Sequence, residues 1–360
     1  MSTQHEDPDE ARWEQAAARL DESAALLADG RVGEALALAR LCADELRAIV
    51  GPEHPDFANA LALLGEIALT QGDVDDAAAQ LEASLAILDR HMPEHDDIVA
   101  PMRPPVLDLL ARTHTSVGRY EQAEALIRAA IGESERLGDA LGLAVQTQTL
   151  GVLLRFAGRY DEAAEVYAAS AELLEANGEP LGPEHFHNLA GLALARGDAC
   201  SAEAHARQAI ALRDDDDLFG LATDLCGLAD ALAEQGRADE AEQHYRRALD
   251  LYARSERPEH PEIAYALHNL ADALTSLGRL DEAEAAYRES LTRKLATLGP
   301  NSPDEAGTRN NLAALLAERG RLAEARDQSA LACAIVRDRL PPQHPIRVAC
   351  ETLASSFERL

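Results

Sequence analysis

One short phrase returns eight times along the chain: a glycine, usually an arginine or aspartate, a residue most often apolar, two usually polar or acidic positions, then alanine. The copies begin at Gly30, Gly72, Gly118, Gly158, Gly197, Gly236, Gly278 and Gly320, separated by 42, 46, 40, 39, 39, 42 and 42 residues. A near-fixed period of this size is the signature of stacked helical pairs. Such stacks present long surfaces to other chains and seldom enclose a reaction centre.

The phrase has a local physical meaning. In Gly278-Arg279-Leu280-Asp281-Glu282-Ala283 the glycine closes one helix in the left-handed conformation, and the two acids stand where negative charge favours the start of the next. Before each glycine runs an apolar pattern at helical spacing, such as Leu270, Ala271 and Leu274, or Leu312, Ala313 and Leu316. A small residue holds its second place at Gly65, Ala111, Gly151, Ala190, Ala229, Ala271 and Ala313, which lets two helices approach closely. After the joint, Ala241, Tyr245 and Ala248, or Ala283, Tyr287 and Ser290, mark the inward face of the second helix. Small and large residues thus alternate at matched positions, as interlocking helices require.

On these residues the chain resembles the tetratricopeptide repeat family, from roughly Ala11 to Cys350. The resemblance implies an all-α, right-handed superhelical solenoid of about eight helix-turn-helix repeats. The loops Gly51-Pro52-Glu53-His54-Pro55, Arg257-Pro258-Glu259-His260-Pro261, Gly299-Pro300-Asn301-Ser302-Pro303 and Pro341-Pro342-Gln343-His344-Pro345 look like those of the 42-residue repeats of kinesin light chains and many bacterial proteins. Asn269-Leu270-Ala271 and Asn310-Asn311-Leu312-Ala313 belong to the same pattern. Upstream, Met92-Pro93-Glu94-His95 and Gly182-Pro183-Glu184-His185 lack the second proline. His185 stands 12 residues before its glycine, where His54 and His260 stand 18 before theirs, so a shorter helix is expected there. No loop motif occurs between Ile131 and Ala144, which calls for a different connection.

A solenoid grows by addition, so 360 residues read as one elongated body. We expect a disordered segment over 1–9, the repeats over 10–343 and a terminal capping helix over 344–360, with Ile346, Val348, Leu353 and Phe357 shielding the last repeat. Trp13 and Ser23 mark the first repeat as the opposite cap. Aromatic residues are only 4% against 47% hydrophobic overall, which suits a leucine and alanine core and argues against a sheet. Pro93, Pro101, Pro104 and Pro105 predict a bulging connection at about His91 to Pro105. The aspartates Asp214 to Asp217 read as an exposed turn capping the next helix, since a calcium loop needs alternating ligands and a central glycine.

The formal charge of −31 disfavours nucleic acid and anionic membrane, and selects neutral to basic partners. All but one of the 33 basic residues are arginine, Lys294 being the exception, a bias that fits a bacterial source. Five cysteines without metal spacing fit free thiols in a reducing cytoplasm, and no apolar run reaches transmembrane length.

In this family the first helix of each pair lines the concave side, so lining residues follow by counting back ten, nine and six from each turn glycine. The richest stretch is Asn188, Asp230, His268, Asn269, Asp272, Asn310 and Asn311. These asparagines could bond the main chain of an extended peptide, with Asp230 and Asp272 favouring a basic side chain. Alternatively they bond loops of their own repeat. Carboxylate-clamping lysines and arginines are missing except Arg112. His187, Cys226 and His268 share one place in three successive repeats, yet neighbouring first helices stand about 8–10 Å apart, too far for a Cys-His dyad. His54, His260 and His344 read as structural. The expectation is a non-enzymatic binding scaffold or adaptor needing no cofactor or metal. A regulatory enzyme of phosphatase-like repeat type and a self-associating assembly module are the competing readings.

Overall fold

The structure is a computed structural model that describes residues 8–92, 96–255, 257, 260–297, 299–340 and 342–358. Every regular element among them is helical. The chain divides into two compact units, Met1–Asp198 and Ala199–Leu360.

The first unit holds α1 (Pro8–Ala28), α2 (Val32–Ile49), α3 (Pro55–Gln71), α4 (Val74–His91), α5 (Asp96–Val99), a 3-10 turn at Ala100–Met102, α6 (Arg103–Ser116), α7 (Tyr120–Leu137), α8 (Ala140–Phe156), α9 (Tyr160–Ala176) and α10 (Pro183–Ala195). The second holds α11 (Ala199–Leu212), α12 (Leu218–Glu234), α13 (Ala238–Arg254), α14 (Pro261–Ser276), α15 (Leu280–Thr297), α16 (Pro303–Glu318), α17 (Leu322–Arg339) and α18 (Pro345–Glu358). In each unit a first helix packs on its own second helix, and each second helix packs on the next pair.

The glycine phrase works as expected. Gly72 adopts φ 83°, its N–H donates to the Leu69 carbonyl at 3.0 Å, and the Asp73 N–H donates to Ala68 at 2.9 Å. Those bonds use carbonyls that a helix end would otherwise leave orphaned. A Gly138-Asp139 joint of the same kind links α7 to α8, with Asp139 accepting from the Gly142 N–H. This is the different connection that the sequence called for between Ile131 and Ala144.

The interlock between small and large residues is tightest where the small one is glycine. A Cβ added at Gly151 would stand 2.3 Å from the Tyr167 ring, and one at Gly65 would stand 2.6 Å from Leu81. Both partners lie nine positions after a turn glycine, as Tyr245 and Tyr287 do. All four are buried.

Entry into many first helices is fixed by a proline preceded by an acceptor. His54, His260 and His344 each use Nδ1 to accept the N–H two residues on, at 3.2, 3.2 and 3.3 Å, and Ser302 accepts from Glu305 at 3.1 Å. These histidines are caps, which requires an unprotonated Nδ1. Burial and the nearby Arg257 guanidinium hold His260 down at about 4. His185 differs: Gly182 precedes α10, so His185 falls inside a helix of 13 residues and is buried.

Asp217 caps α12 by accepting from the Gly220 N–H at 2.8 Å, while Asp214 to Asp216 are exposed. Across the His91 to Pro105 stretch the described residues form α5 and the 3-10 turn, with Val99 and Ala100 buried; Pro93, Glu94 and His95 lie outside the described residues. Of the segment 1–9 expected to be disordered, Pro8 and Asp9 are already in α1; residues 1–7 lie outside the described residues. Trp13 donates to the Asp56 carboxylate at 2.6 Å. On α18, Cys350 and Phe357 are buried and Ile346 packs with the last pair, but Val348 is 49% exposed. Val348 therefore does not belong to the shielding face: two residues from both Ile346 and Cys350, it points the other way around the helix.

Candidate functional site

In the second unit the first helices α12, α14 and α16 carry a connected row of polar side chains. The Tyr245 hydroxyl donates to Asp230 Oδ1 at 2.5 Å, and the Asn269 amide on α14 donates to the same oxygen at 2.9 Å. One repeat later the arrangement recurs: the Tyr287 hydroxyl donates to Asp272 Oδ1, and the Asn311 amide on α16 donates to it at 3.1 Å. Each aspartate thus ties its own second helix to the next first helix. Among the described residues, Asn269 and Asn311 bond neither loops of their own repeat nor each other.

Burial raises the Asp230 carboxyl above its ordinary value, and burial beside an acid pushes the Tyr245 and Tyr287 hydroxyls up. The two rungs are not identical. Asp272 is 46% exposed in its side chain, and its Oδ2 faces His268 Nε2 at 3.4 Å. His268 Nδ1 lies 3.0 Å from the Thr308 hydroxyl, and its ring meets Tyr287 edge-on at 5.7 Å.

The row fixes each asparagine by one amide N–H and leaves its carbonyl oxygen without a donor among the described residues. Asn269, Asn311, Asp230 and Asp272 all remain partly exposed. A side-chain amide anchored on one side and open on the other presents an acceptor at a set place. Asn310 stands outside the row, and its Oδ1 is buried without a hydrogen-bond partner. Asn188 is on α10 of the first unit, partly buried. Cys226 is turned toward Tyr252, and burial pushes its thiol far up, so it is no thiolate nucleophile. Within the second unit, the partners of His268 are Thr308, Asp272 and Asn311 rather than Cys226.

A second recurring pairing, within each unit, lies at the second helices. Arg159 reaches back to Glu124 at 2.6 Å, Arg237 to Glu203 at 2.8 Å, Arg279 to Glu242 at 2.9 Å and Arg321 to Glu284 at 2.7 Å. Each arginine follows a turn glycine, and each glutamate follows the turn alanine one repeat earlier. Three acceptor bonds hold the Glu203 carboxyl down at about 2, from Arg207 first, then Gln235 and Arg237. The signal was legible: an Ala-Glu in one repeat accompanies a Gly-Arg in the next. Where Ala163 is followed by Ala164, the next phrase reads Gly197-Asp198.

Among the described residues no group of three or more His, Cys, Asp or Glu side chains could hold a metal ion, and no helix is long and apolar enough to cross a membrane. All five cysteines are free, three of them buried.

Models of the Tetratricopeptide repeat match residues 15–56, 43–93, 106–141, 220–296 and 262–338. No curated protein matches the chain in sequence. Among solved structures, the APC/C hetero-tetramer Cut9-Hcn1 is similar over 94% of this chain at 16% identity with a TM-score of 0.64, and this chain spans 55% of that one's length. The apo form of the quorum sensor NprR from B. thuringiensis is similar over 92% of this chain and 89% of its own at 13% identity, with a TM-score of 0.61. At such identities the likeness is one of fold.

Proposed function

We propose, for a chain that belongs to the tetratricopeptide repeat family, that it is a protein-interaction scaffold which holds an extended peptide or partner segment along the first helices of its second unit. The observation that carries this reading is the Asp-Tyr-Asn row. Asn269 and Asn311 are held by Asp230 and Asp272 with their carbonyl oxygens unengaged, so each offers an acceptor to a peptide N–H without a large ordering cost. Successive first helices stand about 10 Å apart. An extended strand advances about 3.3 Å per residue, so neighbouring asparagines would meet every third residue of a bound chain.

Specificity in this reading is modest, because the main chain is the same in every peptide. Asp272, 46% exposed in its side chain, favours a basic side chain; Asp230, whose carboxyl burial raises above its ordinary value, contributes less. The net charge of −31 favours neutral to basic partners on approach. Free thiols are in keeping with a reducing, cytoplasmic setting. Asn310 on α16 belongs to this groove proposal, a like role for Asn188 within the first unit is proposed separately, and so are the terminal caps at α1 and α18.

Selection of random-sequence peptides on the immobilised full chain, followed by fluorescence anisotropy with a selected peptide, tests the reading. Replacing Asn269→Ala together with Asn311→Ala should weaken binding at least tenfold, about 1.4 kcal/mol. Unchanged affinity with an intact circular dichroism spectrum would remove the groove.

Self-association is a second reading, favoured by one observation in the first unit. Leu141, Val145 and Phe156 on α8 fall within one narrow stripe and are 48%, 57% and 54% exposed. Light scattering across concentration reads it directly.

A further inference from the structure

Lys294 is the one lysine of the chain, and it is only 2% exposed. It stands sixteen positions after a turn glycine. Four other repeats place Leu46, Leu88, Tyr252 and Val336 at that position, all buried apolar or aromatic side chains, while two place the polar Ser134 and Arg213 there. Its Nζ donates to the Thr308 hydroxyl at 2.9 Å and to the Asp304 carbonyl at 3.3 Å, and lies 4.7 Å from the centre of the Tyr265 ring.

The place is a recurring joint between repeats. Position sixteen after one glycine meets the position twelve before the next: the Gln146 amide donates to Ser134, and Arg213 pairs with the buried Asp224 at 2.9 Å. The Lys294 joint extends beyond its pair, because Thr308 also faces His268, whose other nitrogen faces the groove.

We propose that Lys294 is a positioning residue for the groove: through Thr308 it fixes His268 as the neutral Nε2–H tautomer, and so holds the Asn311 amide on Asp272 with one N–H and its carbonyl left for a peptide. This rests on the groove reading for its purpose, while the relay itself is a property of the free protein.

The proton count gives the argument. An ammonium has no lone pair, so Lys294 must donate to Thr308 Oγ1. The single Thr308 hydroxyl hydrogen has two acceptors within reach, the Asp304 carbonyl and His268 Nδ1, each 3.0 Å away. A bare Nε2 would set its lone pair against Asp272 Oδ2 at 3.4 Å, so the ring proton belongs on Nε2 and Nδ1 is left to accept from Thr308. Asn311 Nδ2 lies 3.5 Å from the same Nε2 and 3.1 Å from Asp272 Oδ1. A protonated Nε2 cannot accept from it, so the amide is committed to the carboxylate. The opposite tautomer would offer Nε2 as a competing acceptor and draw Asn311 off its rung.

Charge supports the same state. Titratable or charged groups facing His268 are Asp272 on α14, Lys294 and Tyr287 on α15, and Asp304 on α16. Burial lowers the imidazole below its ordinary value; Asp272 and Asp304 oppose that shift, and Lys294 reinforces it. Lys294 itself is brought down to about 8 by burial, which keeps it mostly charged at neutral pH.

Long-range proton–nitrogen NMR on the full chain, labelled at histidine and assigned with His268→Asn, tests the relay without any ligand. Wild type should show His268 as the Nε2–H tautomer. Lys294→Met should raise its titration midpoint by about one pH unit and admit the Nδ1–H form. Thr308→Val should admit the same form, and Thr308→Ser should restore the wild-type signature. The proposal is overturned if wild type shows Nδ1–H, or if folded Lys294→Met and Thr308→Val leave tautomer and midpoint unmoved. A positive NMR result with unaltered peptide affinity in the asparagine variants would reject the groove and keep the relay.

Discussion

The same tyrosine position is used differently in the two units, and the difference separates packing from presentation. Tyr167 in the first unit and Tyr287 in the second both lie nine residues after a turn glycine, and both are buried. Tyr167 presses on Gly151, and its hydroxyl faces Arg155. Tyr287 instead donates to Asp272, which in turn holds Asn311. Six residues before the glycine stands Val152 in one case and Asp272 in the other. One exchange of valine for aspartate turns a packing tyrosine into the foot of a polar row. The α8 face beside Val152 is accordingly apolar and exposed, whereas α14 and α16 are polar.

Several substitutions would break or sharpen that contrast. Gly151→Leu should cost the most, about 3 kcal/mol by urea unfolding, because its Cβ falls on the Tyr167 ring; a small loss would mean that the interlock is loose. Tyr287→Phe should cost about 2 kcal/mol by removing a donor to a carboxylate, while Tyr167→Phe should cost less than about 0.5 kcal/mol. Equal losses would erase the distinction between the units.

Lys294 gives an effect read from pH. Its folded value of about 8 lies below the ordinary lysine value of 10.5, so the unfolded chain binds more protons between the two. Stability of wild type relative to Lys294→Met should therefore rise with pH, by about 1.5 kcal/mol from about pH 8 to about pH 9.5. A flat difference would mean that the ammonium is not buried. Smallest is the arginine row common to both units: Glu203→Gln should cost about 0.5 kcal/mol at neutral pH. Because the Glu203 carboxyl is held down at about 2, that contribution is present above its ordinary 4.5 and is lost as pH falls through about 2.

Local signals made the helices legible from the chain. Turn glycines, proline-preceding histidines and the aspartate at 217 each act within a few residues, and each did what its chemistry requires. Site residues were legible one at a time: Asp230, Asn269, Asp272 and Asn311 were chosen because they fall on one face. Their pairing was not, since each bond joins residues 39 apart and depends on how one repeat docks on the next. The aligned places show it afterwards, as aspartate six before a glycine, tyrosine nine after it and asparagine nine before the next. Lys294 stands out in the chain only as its single lysine, yet its place matched to Leu46, Leu88, Tyr252 and Val336 marks a charge taken into the core. Val348 departs from the expected shielding face because a spacing of two from Ile346 crosses the helix.

Amide hydrogen exchange on the full chain, with and without a peptide selected on it, addresses the central claim most directly. Added protection should concentrate in α12, α14 and α16, and Asn269→Ala with Asn311→Ala should abolish it. Protection confined to α8, or to the outer faces of α13, α15 and α17, would contradict the account.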